Sequence, residues 1–181
     1  MSAKQPDNMN YLSPLGFRFL LDRTPTTEYF IQSTSIPSIT LGEYTQDTPF
    51  VNIPLPGSKL RFEPVDFTFR VDEDMKNYME LYDWLSGLGF PESFTQYSNF
   101  VNNSRATRPG SAVGKESAED QYSDGSLIIM TSSQNPNVRV NFKSMIPISL
   151  SALTFDTTFS DVDYLQAQVT FAYTYYDIEK I

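Results

Sequence analysis

The sequence has no cysteine and no histidine in 181 residues. Without thiols there are no disulfides, no thiolate zinc or iron–sulfur sites and no cysteine nucleophile. Without imidazole, the side chain most often used as a general base near neutral pH is missing. Stability must therefore come from packing and assembly. Glycine is scarce, with 8 residues, and tryptophan occurs once, which excludes a collagenous or low-complexity chain. No apolar run reaches the length of a membrane span. Residues 1–10 are polar with a single lysine, unlike a secretory leader. These absences predict synthesis and folding in the cytoplasm, with no membrane partner.

Acidic residues outnumber basic ones 22 to 13, a formal charge of −9. That balance opposes tight nucleic-acid binding through phosphate contacts. Its simplest use is solubility.

What is present is strand material. Hydrophobic residues make up 40% of the chain and aromatics 14%, with 14 Phe and 11 Tyr, and aromatic side chains favour half-buried strands. Phe17, Phe19 and Leu21 alternate with Arg18, Leu20 and Asp22, a period of two. A turn-rich break at 23–27 separates them from an expected strand at 29–36, so the pair reads as a hairpin. Around Pro56-Gly57-Ser58, a strong turn signal, lie Phe50, Ile53, Pro54, Leu55, Leu60 and Phe62. This stretch predicts a projecting β-hairpin, with Pro54 and Pro56 keeping one arm at a sheet edge.

Val65, Phe67, Phe69 and Val71 alternate cleanly and run into Asp72-Glu73-Asp74, carboxylates suited to a helix start. Met75, Tyr78, Met79, Tyr82 and Leu85 follow at helical spacing, with Leu81, Trp84 and Leu88 widening the stripe. One long helix is expected over about 73–87, stopped by Gly87, Gly89 and Pro91. The stretch 92–125 is polar and reads as an insertion, with an exposed loop over 105–124. Phe94, Tyr97 and Phe100 at its start are candidate contacts with a neighbour. Strands resume at 126–131, 138–142 and 146–150, and 165–176 alternates as one long interior strand.

The chain is thus expected to be one domain over 1–181, with a flexible start at 1–14. Its class is mainly β: an antiparallel barrel or sandwich with one flanking helix and a projecting hairpin.

Chemistry is hard to find. No phosphate-cradling glycine loop or nucleophile elbow is present. Asp72-Glu73-Asp74 and Asp161-Val162-Asp163 lack the spacing of a calcium loop; a helix start and a turn account for them, with calcium left open at the second. No catalytic residue, cofactor, metal or small-molecule substrate is expected. Two rival classes remain: a stand-alone β-sandwich that stacks sugars on Tyr and Phe, and a hydrolase using paired carboxylates.

The order of elements resembles the tail-tube proteins of T4-like contractile phages. The pieces that carry it are Phe67-Thr68-Phe69-Arg70-Val71-Asp72-Glu73-Asp74-Met75 with Trp84 a few turns on, Ile146-Pro147-Ile148-Ser149-Leu150-Ser151, Phe155-Asp156, and Phe171-Ala172-Tyr173-Thr174-Tyr175-Tyr176. The resemblance covers about residues 15–178. It implies a non-enzymatic virion subunit whose hexameric rings stack into a conduit for DNA ejection. Its partners would be itself, the sheath, and baseplate or head-proximal tail proteins, with DNA passing a negative lumen unbound. A tube terminator or baseplate initiator of the same fold is the alternative rank.

Overall fold

A computed structural model of the protein describes residues 9–89, 92–107, 121–158 and 164–181. Nine strands and three helices are assigned among them. The strands are β1 (Phe17–Leu21), β2 (Ile31–Thr34), β3 (Ile39–Asp47), β4 (Asn52–Phe62), β5 (Val65–Arg70), β6 (Ser123–Met130), β7 (Pro136–Leu150), β8 (Gln166–Ala172) and β9 (Tyr175–Lys180). The helices are α1 (Pro25–Tyr29), α2 (Lys76–Gly89) and α3 (Phe94–Thr107).

Seven strands form one antiparallel sheet that folds over on β7. The first half of β7 pairs with β6 and β9, its second half with β8. The result is two half-sheets, β1-β6-β7-β9 and β7-β8-β5-β2, packed as an open sandwich.

The fold-over has a local cause. Ser144 takes a positive φ of 56° in mid-strand. Asp124 on the neighbouring strand meets the bend: one carboxylate oxygen accepts the Ser144 N–H at 3.0 Å and the other accepts the Lys143 ammonium at 3.0 Å. The adjacent Gly125 leaves room for the returning chain, since a Cβ there would stand 2.6 Å from the Met145 sulfur and 3.0 Å from the Phe19 ring.

The core lies where the alternating faces predicted it. Phe19 and Leu21 of β1, Val65, Phe67 and Phe69 of β5, and Ala167, Val169 and Phe171 of β8 are all buried. Phe67 packs against Phe19 at 4.2 Å and against Phe171 at 5.6 Å between ring centroids. Helix α2 closes the interior by inserting Leu81 and Trp84, the latter 5.7 Å from Phe171.

Several expectations are corrected. β1 and β2 do not pair; β1 joins β6 and β2 joins β5, because α1 occupies part of the supposed turn and carries Tyr29. The helix start shifts: Asp72-Glu73-Asp74 precede α2, whose first residue is Lys76, behind a left-handed Met75 (φ 56°). Asp72 and the buried Asn77 exchange long hydrogen bonds of 3.4 Å across this turn, and Asn77 also donates to the Arg70 carbonyl at 2.7 Å.

The buried stripe of α2 is Asn77, Leu81, Trp84 and Gly87, whereas Met79 and Tyr82 face outward. Gly87 does not stop the helix. It lets α3 approach, since a Cβ there would lie 2.6 Å from the Phe100 ring. The single long helix becomes two, because α3 fills the first part of the supposed insertion; residues 108–120 of the expected loop lie outside the described residues.

The turn between β6 and β7 lies at 131–135, with Pro136 already in β7. The terminal strand divides at Tyr173-Thr174 into β8, interior to its half-sheet, and β9, an edge. Residues 1–8 of the supposed flexible start and the 161–163 triplet lie outside the described residues.

Candidate assembly interface

β3 and β4 form their own two-stranded sheet, separate from the seven-stranded one. They are 9 and 11 residues long, with no other strand beside either among the described residues. The hairpin arm expected from the sequence is therefore present, but its turn is not at Pro56-Gly57. The pairs Tyr44–Leu55, Thr45–Pro54, Gln46–Ile53 and Asp47–Asn52 place the turn at residues 48–51, where the Thr48 hydroxyl accepts the Val51 N–H at 3.1 Å. Gly57 instead lies at a bulge, opposite the shift between Leu41 and Glu43, and a Cβ on it would collide with the Gly42 backbone.

The two prolines have a defined consequence. Pro54 and Pro56 are two residues apart, so their nitrogens point to the same edge of β4. Because β4 is hydrogen-bonded to β3 throughout this stretch, that edge must be the outer one. An outer edge missing two donors cannot be extended by another strand. The outer edge of β4 therefore presents side chains without a full set of backbone donors, while the β3 edge keeps its backbone groups.

That surface is apolar. Phe50 at the tip is 98% exposed, and Tyr44, Val51 and Ile53 are also exposed. The register sets Tyr44, Gln46, Ile53 and Leu55 on one face. Nearer the root, Ile39, Leu41 and Leu60 are likewise exposed, and Phe62 is half-buried.

The root is clamped. Tyr173 and Tyr176, at the corner between β8 and β9, pack on Phe62 with ring centroids at 6.2 and 5.5 Å. The Tyr173 hydroxyl donates to the Glu63 carbonyl at 2.7 Å, and the Tyr176 hydroxyl to the Pro37 carbonyl at 3.0 Å. One tyrosine thus holds the chain leaving the arm and the other the chain approaching it, while Glu63 N–H donates to Ser38 at 3.2 Å between them. Sequence reasoning missed this pair because both tyrosines read as members of one uninterrupted strand.

The clamp carries a pH signature. Burial, then the neighbouring Tyr176 and Glu63, push the Tyr173 hydroxyl from its ordinary value of 10.0 up to about 12. The unfolded chain ionises first, so the stabilisation is complete below pH 10 and lost as pH rises toward 12. In an absorbance titration of the phenolates, one tyrosine should ionise late in the folded protein. Tyr173→Phe should remove that late component; if it persists, Tyr173 is not the shifted group.

Phe94, Tyr97 and Phe100 do not form one surface. Phe94 is exposed, Tyr97 is half-buried with its hydroxyl accepting from Gln121 at 2.6 Å, and Phe100 is buried against α2. An open cavity of about 420 Å³ lies beside them, between α2 and α3. Its aromatic wall is already covered: the Arg23 guanidinium stands 3.9 Å from the Phe100 ring and 5.0 Å from Trp84. A sugar would find no free ring to stack on there. Among the described residues, no group of three or more carboxylates stands close enough to hold a metal ion. None of their helices is long and apolar enough to cross a membrane.

No protein-family profile and no curated protein matches the chain at a significant level. Solved structures do match. A chain of the anti-feeding prophage tube-terminating cap superposes with a TM-score of 0.58 at 13% identity, covering 100% of this chain and 99% of that one. A chain of the PVC sheath–tube complex, an extracellular contractile injection system in its extended state, gives 0.54 at 12% identity over 96% and 94%. A chain of the PVC sheath/tube terminator gives 0.54 at 11% identity over 95% and 99%.

The chain shares the fold of these contractile-injection-system chains. The likeness covers 95–100% of this chain in these comparisons. At these identities the fold alone is shared, and the arm, clamp and sheet faces of this chain are read from its own residues.

Proposed function

We propose that the protein is a structural subunit of a contractile tail tube, which assembles into six-fold rings that stack into a conduit for DNA ejection. The observation that carries this reading is the β3–β4 arm: a long hairpin outside the main sheet, exposed along its length, carrying Tyr44, Phe50, Val51 and Ile53 as exposed apolar side chains and rooted by Tyr173 and Tyr176. A monomer in water gains nothing from such a surface, and a neighbouring subunit would bury it. The main sheet supplies further joining groups, because β1 and β9 end one half-sheet and β2 and the second half of β7 end the other. Strand pairing between subunits at such edges would add main-chain hydrogen bonds to the apolar contacts. No catalytic step is involved; the work is mechanical, and sheath, baseplate or head-proximal tail proteins would be the outer partners.

A second reading, the terminator of such a tube, draws support from the anti-feeding prophage cap, which matches along nearly its whole length. The two differ in stacking. Light scattering over a wide concentration range tests both against the sugar-binding monomer. A tube subunit gives a mass that grows with concentration or seeding, and a terminator stops at a single ring. A mass that stays at the monomer's 20.6 kDa, even with seeds, contradicts both.

A further inference from the structure

If the chain builds a ring, one outer face of its sandwich turns to the axis and the other away, and the two faces differ chemically. On β5 and β8 the residues between the buried ones point outward: Asp66, Thr68 and Arg70 beside Thr170, Gln168 and Gln166. Ser33 of β2 stands opposite Thr68 and Ser149 of β7 opposite Thr170, while Ile148 at the β7 bulge and Tyr164 beside Arg70 are exposed apolar side chains at the margins of this face. Among the described residues of β5 and β8, the face holds one acid and one base. Asp66 is engaged, accepting the Thr170 hydroxyl at 2.6 Å, and Arg70 lies over the Tyr164 ring at 5.4 Å.

The other half-sheet presents a different surface. Arg18, Ile128, Arg139 and Glu179 form one row across β1, β6, β7 and β9, with Arg18 paired to Glu28 at 3.8 Å, and Leu20, Ser126, Asn141 and Asp177 form the next. Tyr175 stands exposed at its rim. A conduit wall must not hold its cargo. Clustered cations would bind phosphate, and exposed apolar groups would bind unfolded chain. A wall of hydroxyls and amides with balanced charge does neither.

We propose that the β5–β8 face lines the channel, and that the channel wall of this protein is neutral and polar, not acidic. The inference rests on the ring reading above. It differs from the negative lumen that composition and resemblance led us to expect, and it places the net charge of −9 elsewhere on the subunit.

The absence of native cysteine makes the test clean. Gln168→Cys places a thiol at the centre of the proposed wall, and Ser126→Cys places one on the opposite half-sheet. Each variant is treated with a small maleimide and with a gold-conjugated maleimide too wide to enter the ring. The free subunits should react at both positions with both reagents. In assembled particles, Gln168→Cys should lose reaction with the wide reagent and keep it with the small one, while Ser126→Cys keeps both. The reverse pattern, or wide-reagent access at both positions, overturns the channel assignment with the rings intact. A failure of the native chain to form rings at all overturns the ring reading instead, and this inference with it.

Discussion

Replacing residues 43–56 by a short Asn-Gly turn should abolish ring and tube formation while leaving the subunit folded. None of these residues belongs to the buried core, and Leu55 alone among them is a half-buried apolar side chain. The root that anchors the arm, Phe62 with Tyr173 and Tyr176, stays in place. Thermal unfolding should therefore change little. What is lost is docking surface: Tyr44, Phe50, Val51 and Ile53 are exposed in the single subunit, and each apolar side chain fully buried in a contact contributes about 1.5–3 kcal/mol. Losing two such contacts weakens association by more than about a hundredfold. Sedimentation of the shortened protein beside the native one measures this. A shortened variant that assembles at the native concentration would remove the arm from the mechanism.

The opposite behaviour is expected from Phe171→Ala. Phe171 sits fully buried between Phe67 and Trp84, at ring distances of 5.6 and 5.7 Å, and so joins the β5–β8 half-sheet to α2. Removing a buried phenylalanine ring costs about 3–5 kcal/mol. That is a large share of the roughly 5–15 kcal/mol that holds a domain together. Denaturant unfolding should show the loss directly, and Tyr175→Ala on the exposed rim should fall within about 0.5 kcal/mol of native as the control. A cost for Phe171→Ala below about 1 kcal/mol would contradict the assigned core. The two variants separate folding from assembly, since one loses stability first and the other loses only association.

The strands that proved legible are those with one buried face. In β1, β5 and β8 every second residue meets the core, so the alternation of Phe19 and Leu21, of Val65, Phe67 and Phe69, and of Ala167, Val169 and Phe171 fixes both strand and facing. The arm has no such constraint. Both its faces are exposed, so nothing in the pattern sets its register, and Pro56-Gly57 has the residues of a turn while serving as a bulge.

The stripe of α2 was misplaced because apolar residues run more than halfway round the helix. Tertiary packing then chooses Leu81 and Trp84 over Met79 and Tyr82. A signal for α3 was present in Phe94, Tyr97 and Phe100, each three residues apart. The surrounding Ser, Asn and Gln, weak helix formers or polar, concealed it. The division between β8 and β9 was invisible, since Tyr173, Thr174 and Tyr175 are all good strand residues. The clamp at that corner was invisible for the same reason. The arm as an element was legible; its turn, its root and the sheet faces required coordinates.

The central claim, that this chain works by assembling copies of itself into a hollow tube, is tested most directly by negative-stain electron microscopy of the purified protein with and without preformed seeds. The account predicts six-fold rings with a central hole, stacked into tubes once growth is nucleated. Uniform monomers under both conditions would contradict it.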